Sequence, residues 1–550
     1  MNGLSQRLIH LPRFLHTVRH LTLRQMLYRL YYRIRPLPPA PRQPAIATRP
    51  LALVASPRWA ERHHQDDGRF TFMERTAARE WNDEQGQKIW LYNLHYLDDL
   101  SVAKGPLAPG AHDKLIEAWI NGNPYGKGVG WEPYPLSLRI VNLVRYFSGK
   151  GAVPQHWVQS IYQQAFSLSR QVEFHILANH LFANAKALVF AGCYLQGGQA
   201  ADWLSQGLGI LRRELPRQFL NDGGHFERSA MYHAVLLWDM CDLLALAHRD
   251  PRVAALRGPM ERIVLNGLAW SRAMAHPDGE LAFFNDACLG IAPPLAELER
   301  YAALLGLAGQ RTQEDTPGPV QLRWLGDSGF ASLTWEPGMK ALLNLADKFP
   351  RFQPGHAHAD TLSFELSLHG QRLIVNSGIS EYGEGPLRQR QRGTAAHSTV
   401  QIDGADSSQV WAGFRVGRRA RVLRRERIES NDTVRVVAQH DGYKHLFGGA
   451  VHERQWLASP GTLVVRDSLA GAWRSAVARY YLAPGVQAQV LEGQVQLVTA
   501  QGHRVAVLFN GHRSLSVDAA TWFPGFGKAK ANRCIVVEFG QADLEAIIQW

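Results

Sequence analysis

The chain has 550 residues, of which 46% are hydrophobic, 20% charged and 10% aromatic. This length predicts about two to four domains with substantial cores, and the apolar content excludes a disordered or low-complexity chain. No uncharged apolar run approaches ~18 residues, so we expect no membrane-spanning helix. The four cysteines are scattered and form no CxxC pair, which argues against a disulfide scaffold and against a cysteine zinc site.

The net charge of +12 belongs almost entirely to the first sixty residues. Residues 1–60 contain ten arginines and no lysine, aspartate or glutamate. The other 490 positions carry 50 basic and 48 acidic side chains. The charge therefore does not indicate a basic field over the main body of the protein.

Residues 1–75 are predicted to form a helical arm followed by a proline-rich connector. Apolar side chains recur at three- or four-residue spacing over 4–35, with arginines between them, which is typical of one or two basic amphipathic helices. Prolines between Pro36 and Pro44 end the helical pattern. Two interpretations stay open: the arm docks on its own protein, or residues 1–35 make peripheral contact with an anionic membrane. No nucleic-acid partner is expected, because no recognised binding motif accompanies the charge.

The arm also bears on where the protein is located. It lacks the contiguous apolar core and the small-residue cleavage site of a secretory signal. We therefore expect a cytoplasmic or membrane-associated protein, with a periplasmic location left open.

Two patterns divide the rest of the chain into a helical domain, 76–318, and a β domain, 319–550. Apolar residues recur at helical spacing in 155–172, 174–192, 200–214, 229–249 and 258–274. After about residue 320 apolar and polar residues alternate, as in Thr361–Leu368, Thr433–Gln439, Gln494–Thr499 and Arg504–Phe509. The predicted fold class is multidomain α and β: a helical array or toroid followed by an antiparallel β-sandwich, with a boundary near Pro317–Pro319.

The first candidate for chemistry is the polar segment Glu173–Lys186, which lies in apolar surroundings. If it is helical, His175 shares a face with Asn179, and His180 shares a face with Asn184. Asparagine and histidine are mediocre helix formers, so their repetition calls for a reason. Catalysis is one explanation, and satisfied hydrogen bonds in a core explain the pattern equally well.

The second candidate, Asn221–His233, passes from a glycine turn into a predicted helix. Glu227, Tyr232 and His233 follow the two glycines closely. A tyrosine near the start of a helix usually serves packing. The two glycines allow a close approach to the backbone beside these polar groups, which favours a cleft as strongly as the tyrosine favours packing.

The third candidate is Pro354–Leu368. If this segment is extended, His356, His358 and Asp360 point to the same face as the apolar residues that follow them. Imidazoles and a carboxylate in register with a core-facing stripe are costly unless they bind a metal or take part in catalysis. His397 lies in a further predicted strand, and an HxH pair with a distant histidine is similar to a metal-ligand set.

Together these motifs resemble the heparinase II/III-like polysaccharide lyases, which are also similar to oligoalginate lyases. The resemblance spans about 90–420 and rests on the order and spacing of Asn123–Tyr125, Trp131–Asn142, Asn179–His180, Met231–His233, His356–Asp360 and Gly393–His397. It implies an (α/α) toroid followed by antiparallel β-sheets. It also implies β-elimination on a polysaccharide that contains uronic acid, which requires the uronate carboxylate to be neutralised.

The resemblance implies a role for each of five residues. Asn179 would hydrogen-bond the uronate carboxylate, with His180 close by. Tyr232 would act as the base, or as the acid towards the leaving glycosidic oxygen, and His356 would be the complementary base. Tyr382 would supply a second phenol.

Substrate contacts are predicted at six further positions: Trp131, Tyr134, Glu227, Arg388, Arg390 and Arg392. Arginines clamp carboxylates or sulfates through two parallel hydrogen bonds. A solvated basic loop explains the three arginines equally well. The predicted partner is an anionic polysaccharide.

A structural zinc ion is the cofactor that the resemblance implies. His358 and His397 match its two histidine ligands. The family places an aspartate in the strand after the HxH segment, and Asn376 stands at the matching position. A neutral amide is a much poorer zinc ligand than a carboxylate, which puts the presence of zinc in doubt.

The leading functional hypothesis is a polysaccharide lyase that acts in exopolysaccharide or capsule metabolism. The alternative is a non-catalytic factor that binds or assembles a polysaccharide during its biosynthesis, with the basic arm at a membrane. A glycoside hydrolase is a third hypothesis, because Glu227 and Asp286 could supply its two carboxylates.

Overall fold

The protein was analysed as a computed structural model, which describes residues 11–43, 45–65, 67–83, 87–101, 103–105, 110–307, 318–346 and 351–550. Residues 4–10 of the predicted arm, Pro44 of its connector and Pro317 of the predicted boundary lie outside the described residues. Within them, the last long helix ends at Leu304 and the first strand of the large sheets begins at Gln321.

Helices dominate the described chain up to residue 304. In chain order they are α1 (11–18), α2 (Leu23–Ile34), α3 (Lys88–Tyr96), α4 (Ala111–Gly122), α5 (Pro133–Ser148), α6 (Gln155–Arg170), α7 (Ala178–Tyr194), α8 (Gly198–Gln218), α9 (Ala230–Ala247), α10 (Arg257–Met274) and α11 (Leu295–Leu304). A short helix, α12 (Pro386–Arg392), lies between strands of the β domain.

Two of these helices form the centre of the helical domain. Sixteen of the seventeen residues of α7 and fifteen of the eighteen of α9 are buried. Both consist mainly of alanine, leucine and other apolar residues, and a helix that is apolar on all sides must be buried. In the described chain α9 alone is long and apolar enough to cross a membrane, and 83% of it is buried inside the protein.

The strands of the described chain pair antiparallel. They are β1 (Phe70–Phe72), β2 (Arg75–Ala77), β3 (Gln321–Leu325), β4 (Phe330–Glu336), β5 (Met339–Asn344), β6 (Phe364–Leu368), β7 (Gln371–Val375), β8 (Val400–Ile402), β9 (Val410–Trp411), β10 (Arg415–Val416), β11 (Val422–Glu429), β12 (Val434–His440), β13 (Val451–Ser459), β14 (Thr462–Ala470), β15 (Ala476–Leu482), β16 (Gln487–Leu491), β17 (Gln494–Val498), β18 (Arg504–Asn510), β19 (His512–Trp522), β20 (Lys530–Phe539) and β21 (Asp543–Gln549). Two pairs, β1–β2 and β9–β10, stand apart from the large sheets.

All of the remaining strands of the described chain fall into two large sheets. One has the order β19-β20-β15-β7-β6-β5-β4-β3, with β8 added beside β15, and the other has the order β11-β12-β13-β14-β21-β18-β17-β16. Burial alternates along β13, β14 and β18, which is what a sheet with one covered face requires. The predicted fold class, an (α/α) toroid followed by an antiparallel β-sandwich, is confirmed.

Three local predictions are wrong. The Thr361–Leu368 strand begins only at Phe364, because the backbone before it bonds outside the sheets: the Ala359 amide donates to the carbonyl of Arg392, at the end of α12. The segment Ala396–Ile402 becomes a strand only at Val400. The Glu173–Lys186 segment begins with a turn, because Leu177 and Ala178 take left-handed backbone angles (φ 72° and 54°). His175 is therefore off the helix and does not share a helical face with Asn179.

The arm docks on the body of the protein. Gln25 is buried and donates from Nε2 to the Phe352 carbonyl (3.0 Å). Tyr32 donates from its hydroxyl to the Val172 carbonyl (2.5 Å), and Thr17 accepts from Nε1 of Trp411 (3.1 Å). The arm therefore contacts both the helical and the β domain.

Candidate active site

Asn179 lies at the start of α7, where the backbone turns into the helix. Its main-chain amide donates to Oε1 of Glu227 (3.0 Å), and its Nδ2 lies 3.2 Å from Nε2 of His356. The side chain is almost fully buried, and its Oδ1 has no hydrogen-bond partner within the described chain. Orphaned buried acceptors are uncommon, and each calls for an explanation such as a catalytic role or a bound donor.

His356 lies between Asn179 and a buried carboxylate. Its Nδ1 is 3.0 Å from Oδ2 of Asp286, which can only accept, so Nδ1 carries the proton. Its Nε2 lies 3.2 Å from Nδ2 of Asn179 and 3.4 Å from Oε2 of Glu227. In the neutral ring this nitrogen is unprotonated and accepts from Asn179. The ring is one-tenth exposed, at 11%. This arrangement leaves a basic nitrogen beside an amide donor.

Asp286 fixes this arrangement from a fully buried position. It accepts two hydrogen bonds from the Arg388 guanidinium (2.5 and 2.8 Å) and one from Nε2 of His358 (2.8 Å), in addition to that from His356. Burial alone would raise the pKa of Asp286, but Arg388 and the histidines outweigh it and hold that pKa well below its usual range. The carboxylate is therefore ionised and orients His356.

Two tyrosines face the same imidazole. The Tyr232 ring stacks on His356 with ring centres 3.7 Å apart, and its hydroxyl is 3.2 Å from that of Tyr382. Ser229 caps α9 by accepting from the Tyr232 amide, which fixes where this tyrosine leaves the helix. Burial raises the pKa of both phenols, so both are protonated at neutral pH.

His180 lies one residue after Asn179 and is held by a different carboxylate. Its Nδ1 is 3.0 Å from Oε1 of Glu173, and its ring packs on Tyr134 with centres 4.4 Å apart. Burial opposes the charged ring, but Glu173 outweighs it, and the pKa of His180 is raised. Its Nε2 has no protein partner within the described chain, and it is a free donor whenever the ring is protonated.

Four of the predicted substrate contacts are placed elsewhere. Arg388 and Arg392 are fully buried, because Arg388 pairs with Asp286 and Arg392 donates to main-chain carbonyls, including that of Ala357. Trp131 packs against Trp119 and Tyr125 in the helical core and donates to the Asn123 carbonyl. Glu227 is buried behind Asn179, and burial raises its pKa. Side chains buried in this way are not available for direct contact with a polymer.

The other two predicted contacts remain accessible. Tyr134 is half-buried against His180, and Arg390 is exposed on α12. The alternative of a solvated basic loop therefore fits Arg390 alone among the three arginines. Asn179, His180, Tyr232, His356 and Tyr382 do come together, although their roles stay predictions.

Sequence reasoning missed three residues of this site. Asp286 was considered only as a hydrolase carboxylate, Glu173 only as the start of a segment, and Phe414 not at all. Phe414 is 44% exposed and packs against Tyr382 and His356, with ring centres 5.2 and 6.3 Å away. An exposed aromatic ring at the rim of a polar site was not detectable from local sequence pattern.

The residues predicted to hold zinc do not form a complete site. His358 and His397 lie together, with 3.3 Å between Nδ1 of the first and Nε2 of the second. That spacing matches two ligands of a tetrahedral zinc, roughly 3.3–3.4 Å apart, but here the nitrogens bond to each other. Oδ1 of Asn376 accepts from the Ser398 amide, and its buried Nδ2 has no partner. No group of three or more His, Cys, Asp or Glu side chains suited to a metal exists in the described chain.

We predict that Asn376→Asp creates a zinc site. The substitution replaces an orphaned amide nitrogen by a carboxylate oxygen, and a buried carboxylate beside two imidazoles needs a cation. Dialysis against zinc followed by metal analysis should give close to one zinc per variant chain and a raised melting temperature, but little zinc in the wild type. Asn376→Asp combined with His397→Ala should lose the metal. If Asn376→Asp binds none, Asn376 does not occupy the third-ligand position.

Comparison with known families agrees with this geometry. Two family models match the chain: "Heparinase II/III N-terminus" over 116–302 and "Heparinase II/III-like, C-terminal" over 317–550. The chain belongs to the heparinase II/III-like family of polysaccharide lyases.

Solved structures of this heparinase-like family share the fold. The crystal structure titled heparinase III has a TM-score of 0.65 at 18% identity and covers 96% of this chain and 89% of its own. A heparan sulfate lyase from Pedobacter heparinus has a TM-score of 0.56 at 17% identity and covers 96% and 87%.

Curated relatives of this heparinase-like chain have two different names. A heparin-sulfate lyase of Bacteroides stercoris is 24% identical over 440 residues, or 74% of this chain and 62% of the relative. FtsZ-localized protein C of Caulobacter vibrioides is 26% identical over 399 residues, or 70% and 64%. The chain thus matches less than two thirds of the length of either relative.

Proposed function

We propose that this protein is a lyase that cleaves a uronic-acid-containing polysaccharide by β-elimination. The observation that carries the proposal is the convergence of three groups: the unprotonated Nε2 of His356, the amide of Asn179 at 3.2 Å, and the protonated phenol of Tyr232 stacked on the imidazole. A base, a carboxylate ligand and an acid are what β-elimination from a uronate requires.

The base in this proposal is His356. Its Nε2 removes the C5 proton of the uronate, and the electron pair of that C–H bond moves towards C4. Asp286 stabilises the imidazolium that forms, because its carboxylate accepts the Nδ1 proton at 3.0 Å. Arg388 keeps this carboxylate ionised throughout.

The developing negative charge falls on the uronate carboxyl group, which then resembles an enolate. In this step Nδ2 of Asn179 gives up its contact with His356 and donates to that carboxyl group, and the protonated form of His180 adds a second donor through Nε2. A double bond forms between C4 and C5 as the bond from C4 to the glycosidic oxygen breaks. Tyr232 or Tyr382 donates its proton to that oxygen, since both phenols are protonated before the reaction.

A lyase assay tests the proposal directly. Purified protein is mixed with a panel of uronic-acid polymers, and the ultraviolet absorbance of the unsaturated product is followed. We expect the absorbance to rise with at least one polymer. The rate of this rise should be at least about tenfold lower with Tyr232→Phe. Mass spectrometry adds a second measurement, because elimination products are ~18 Da lighter than hydrolysis products. No absorbance change on any polymer, with Tyr232→Phe indistinguishable from wild type, contradicts the proposal.

A non-catalytic polysaccharide-binding or assembly factor is the second candidate. It is favoured by the similarity to FtsZ-localized protein C, whose name denotes a localised protein and not a lyase. Glycan binding that survives His356→Ala, without shortening of the bound chain, would support it. The intact set of His356, Asn179 and Tyr232 favours catalysis.

A glycoside hydrolase is disfavoured by the environment of its two candidate carboxylates. Inverting and retaining hydrolases both need carboxyl groups that reach the glycosidic bond. Asp286 is fully buried and bonded to Arg388, and the Glu227 side chain is 1% exposed.

We further propose that the lyase acts on an exopolysaccharide or capsule polymer.

A further inference from the structure

The helix α2 has an unusual orientation on the protein: its polar side faces inward. Gln25 is buried at 1% exposure, and Tyr28 and Tyr32 lie on the same side. This side makes the contacts that hold the helix, with Gln25 bonded to the Phe352 carbonyl and Tyr28 packed on Phe174, ring centres 4.8 Å apart. A surface helix ordinarily buries its aliphatic stripe and exposes its polar one.

The opposite side of α2 is aliphatic and faces solvent. Leu23, Leu27, Leu30 and Ile34 are 68%, 57%, 60% and 71% exposed. At about 100° per residue these four side chains fall within one ~60° arc of the helix. The stripe is therefore continuous, and no described part of the chain covers it.

This exposure is concentrated in the arm. Sixteen large hydrophobic side chains are exposed in the described chain, and nine of them lie in α1 and α2 or between them: Leu11, Phe14, Leu15, Leu23, Met26, Leu27, Leu30, Tyr31 and Ile34. Singly exposed apolar residues are ordinary, but nine in one arm, four of them on a continuous stripe of α2, mark an interaction surface. We call these nine residues the arm surface.

The charges around the arm surface have one sign. Residues 11–43 contain seven arginines and no acidic side chain. Arg33 lies on α2 to one side of the aliphatic stripe, and Arg35, just past the end of the helix, lies over the Tyr31 ring on the other side; both are exposed. The occupant of this surface must therefore offer apolar volume bordered by negative charge.

We propose that the arm surface docks the protein on an anionic lipid bilayer. The aliphatic stripe enters the boundary between headgroups and acyl chains, while the flanking arginines pair with lipid phosphates. A nucleic acid offers no apolar surface to cover the aliphatic stripe. A second copy of this chain would bring one arginine-rich helix against another. This proposal does not depend on lyase activity.

Docking also determines where the candidate active site lies. The inward side of α2 bonds to Phe352 and Val172, which precede His356 and Glu173 by four residues and one residue. The arm thus contacts two of the segments that supply site residues. A protein docked in this way holds its site close to the lipid surface, where a membrane-borne glycan is within reach.

Vesicle flotation with the full chain tests the proposal. The probes are vesicles of phosphatidylcholine alone and of phosphatidylcholine mixed with phosphatidylglycerol. We expect the wild type to float with the mixed vesicles, with affinity that falls as salt rises. Leu27→Asp combined with Leu30→Asp should bind at least about a hundredfold more weakly. Arg33→Gln and Arg35→Gln should each weaken binding about fivefold.

The matched control uses two leucines that are equally exposed elsewhere. Leu304 and Leu423 are 50% and 51% exposed, so Leu304→Asp combined with Leu423→Asp should float as the wild type does. Circular dichroism melts of both double variants should coincide, since none of the four side chains is buried. Three results would each overturn the proposal: no flotation at low salt, equal flotation of both double variants, or self-association or nucleic-acid binding without vesicle binding.

Discussion

Replacing His356 with alanine is expected to lower kcat about 10²–10⁴-fold on any polymer that the protein cleaves. The Nε2 atom of this ring is the unprotonated nitrogen beside Asn179, and in the proposed mechanism it removes the C5 proton. KM should change by less than about threefold, because Asn179 and His180 hold the uronate carboxylate and both stay in place. The initial rate of ultraviolet absorbance against polymer concentration gives both constants.

The loss must be separated from a loss of structure. His356 lies in a loop, and Asp286 keeps its bonds to Arg388 and His358 without it, so the melting temperature should change little. His503→Ala is the control, because that ring stacks on His369 away from the site. Added imidazole should restore part of the His356→Ala rate. An unchanged kcat in His356→Ala would remove this histidine from the reaction.

The sequence was a good guide to the residues that converge and a poor guide to those that are buried. Asn179, His356 and Tyr232 lie in three polar segments that the sequence singles out, and the resemblance to the lyase family predicted their roles. Arg388 was misjudged because three alternating arginines are typical of an exposed loop. Its partner, Asp286, is 102 positions away in the chain, and local sequence carries no signal for so distant an ion pair.

The same limit applies to the strands. Burial in β17 and β18 alternates as the sequence predicted, because those strands pair with each other in a hairpin. The segment with His356 and His358 has a similar alternation but forms turns. Its backbone bonds to residues far away in the chain: the His356 carbonyl accepts from the Asp286 amide, 70 positions earlier. The pattern of apolar and polar side chains cannot predict a hydrogen-bond partner so far away in the chain.

The sequence also could not predict which side of α2 faces the protein. An amphipathic pattern states that a helix has two sides, and the usual assumption is that the apolar side is buried. Here the aromatic rings Tyr28 and Tyr32 and the amide of Gln25 serve as the inward side. The pattern therefore predicted the helix correctly and left its outward side undecided.

Replacing Asp286 with asparagine should impair both activity and stability. The amide keeps the shape but removes the charge that balances Arg388, so the free energy of unfolding should fall by about 3–5 kcal/mol. Its NH₂ group would also donate to Nδ1 of His356 and move the ring proton to Nε2, which removes the base. The kcat of the folded fraction should fall roughly 10⁴-fold, as when an amide replaces the carboxylate behind a catalytic histidine.

Asp467 supplies a matched control for this prediction, because it has the same surroundings far from the site. It is fully buried, accepts two hydrogen bonds from Arg454, and bonds Nε2 of His452 at 2.7 Å. Asp467→Asn should therefore lower the urea midpoint about as much as Asp286→Asn does. Below their unfolding transitions, only Asp286→Asn should lose kcat. Equal kcat in both variants would mean that Asp286 only supports the fold and that His356 can act as the base without it.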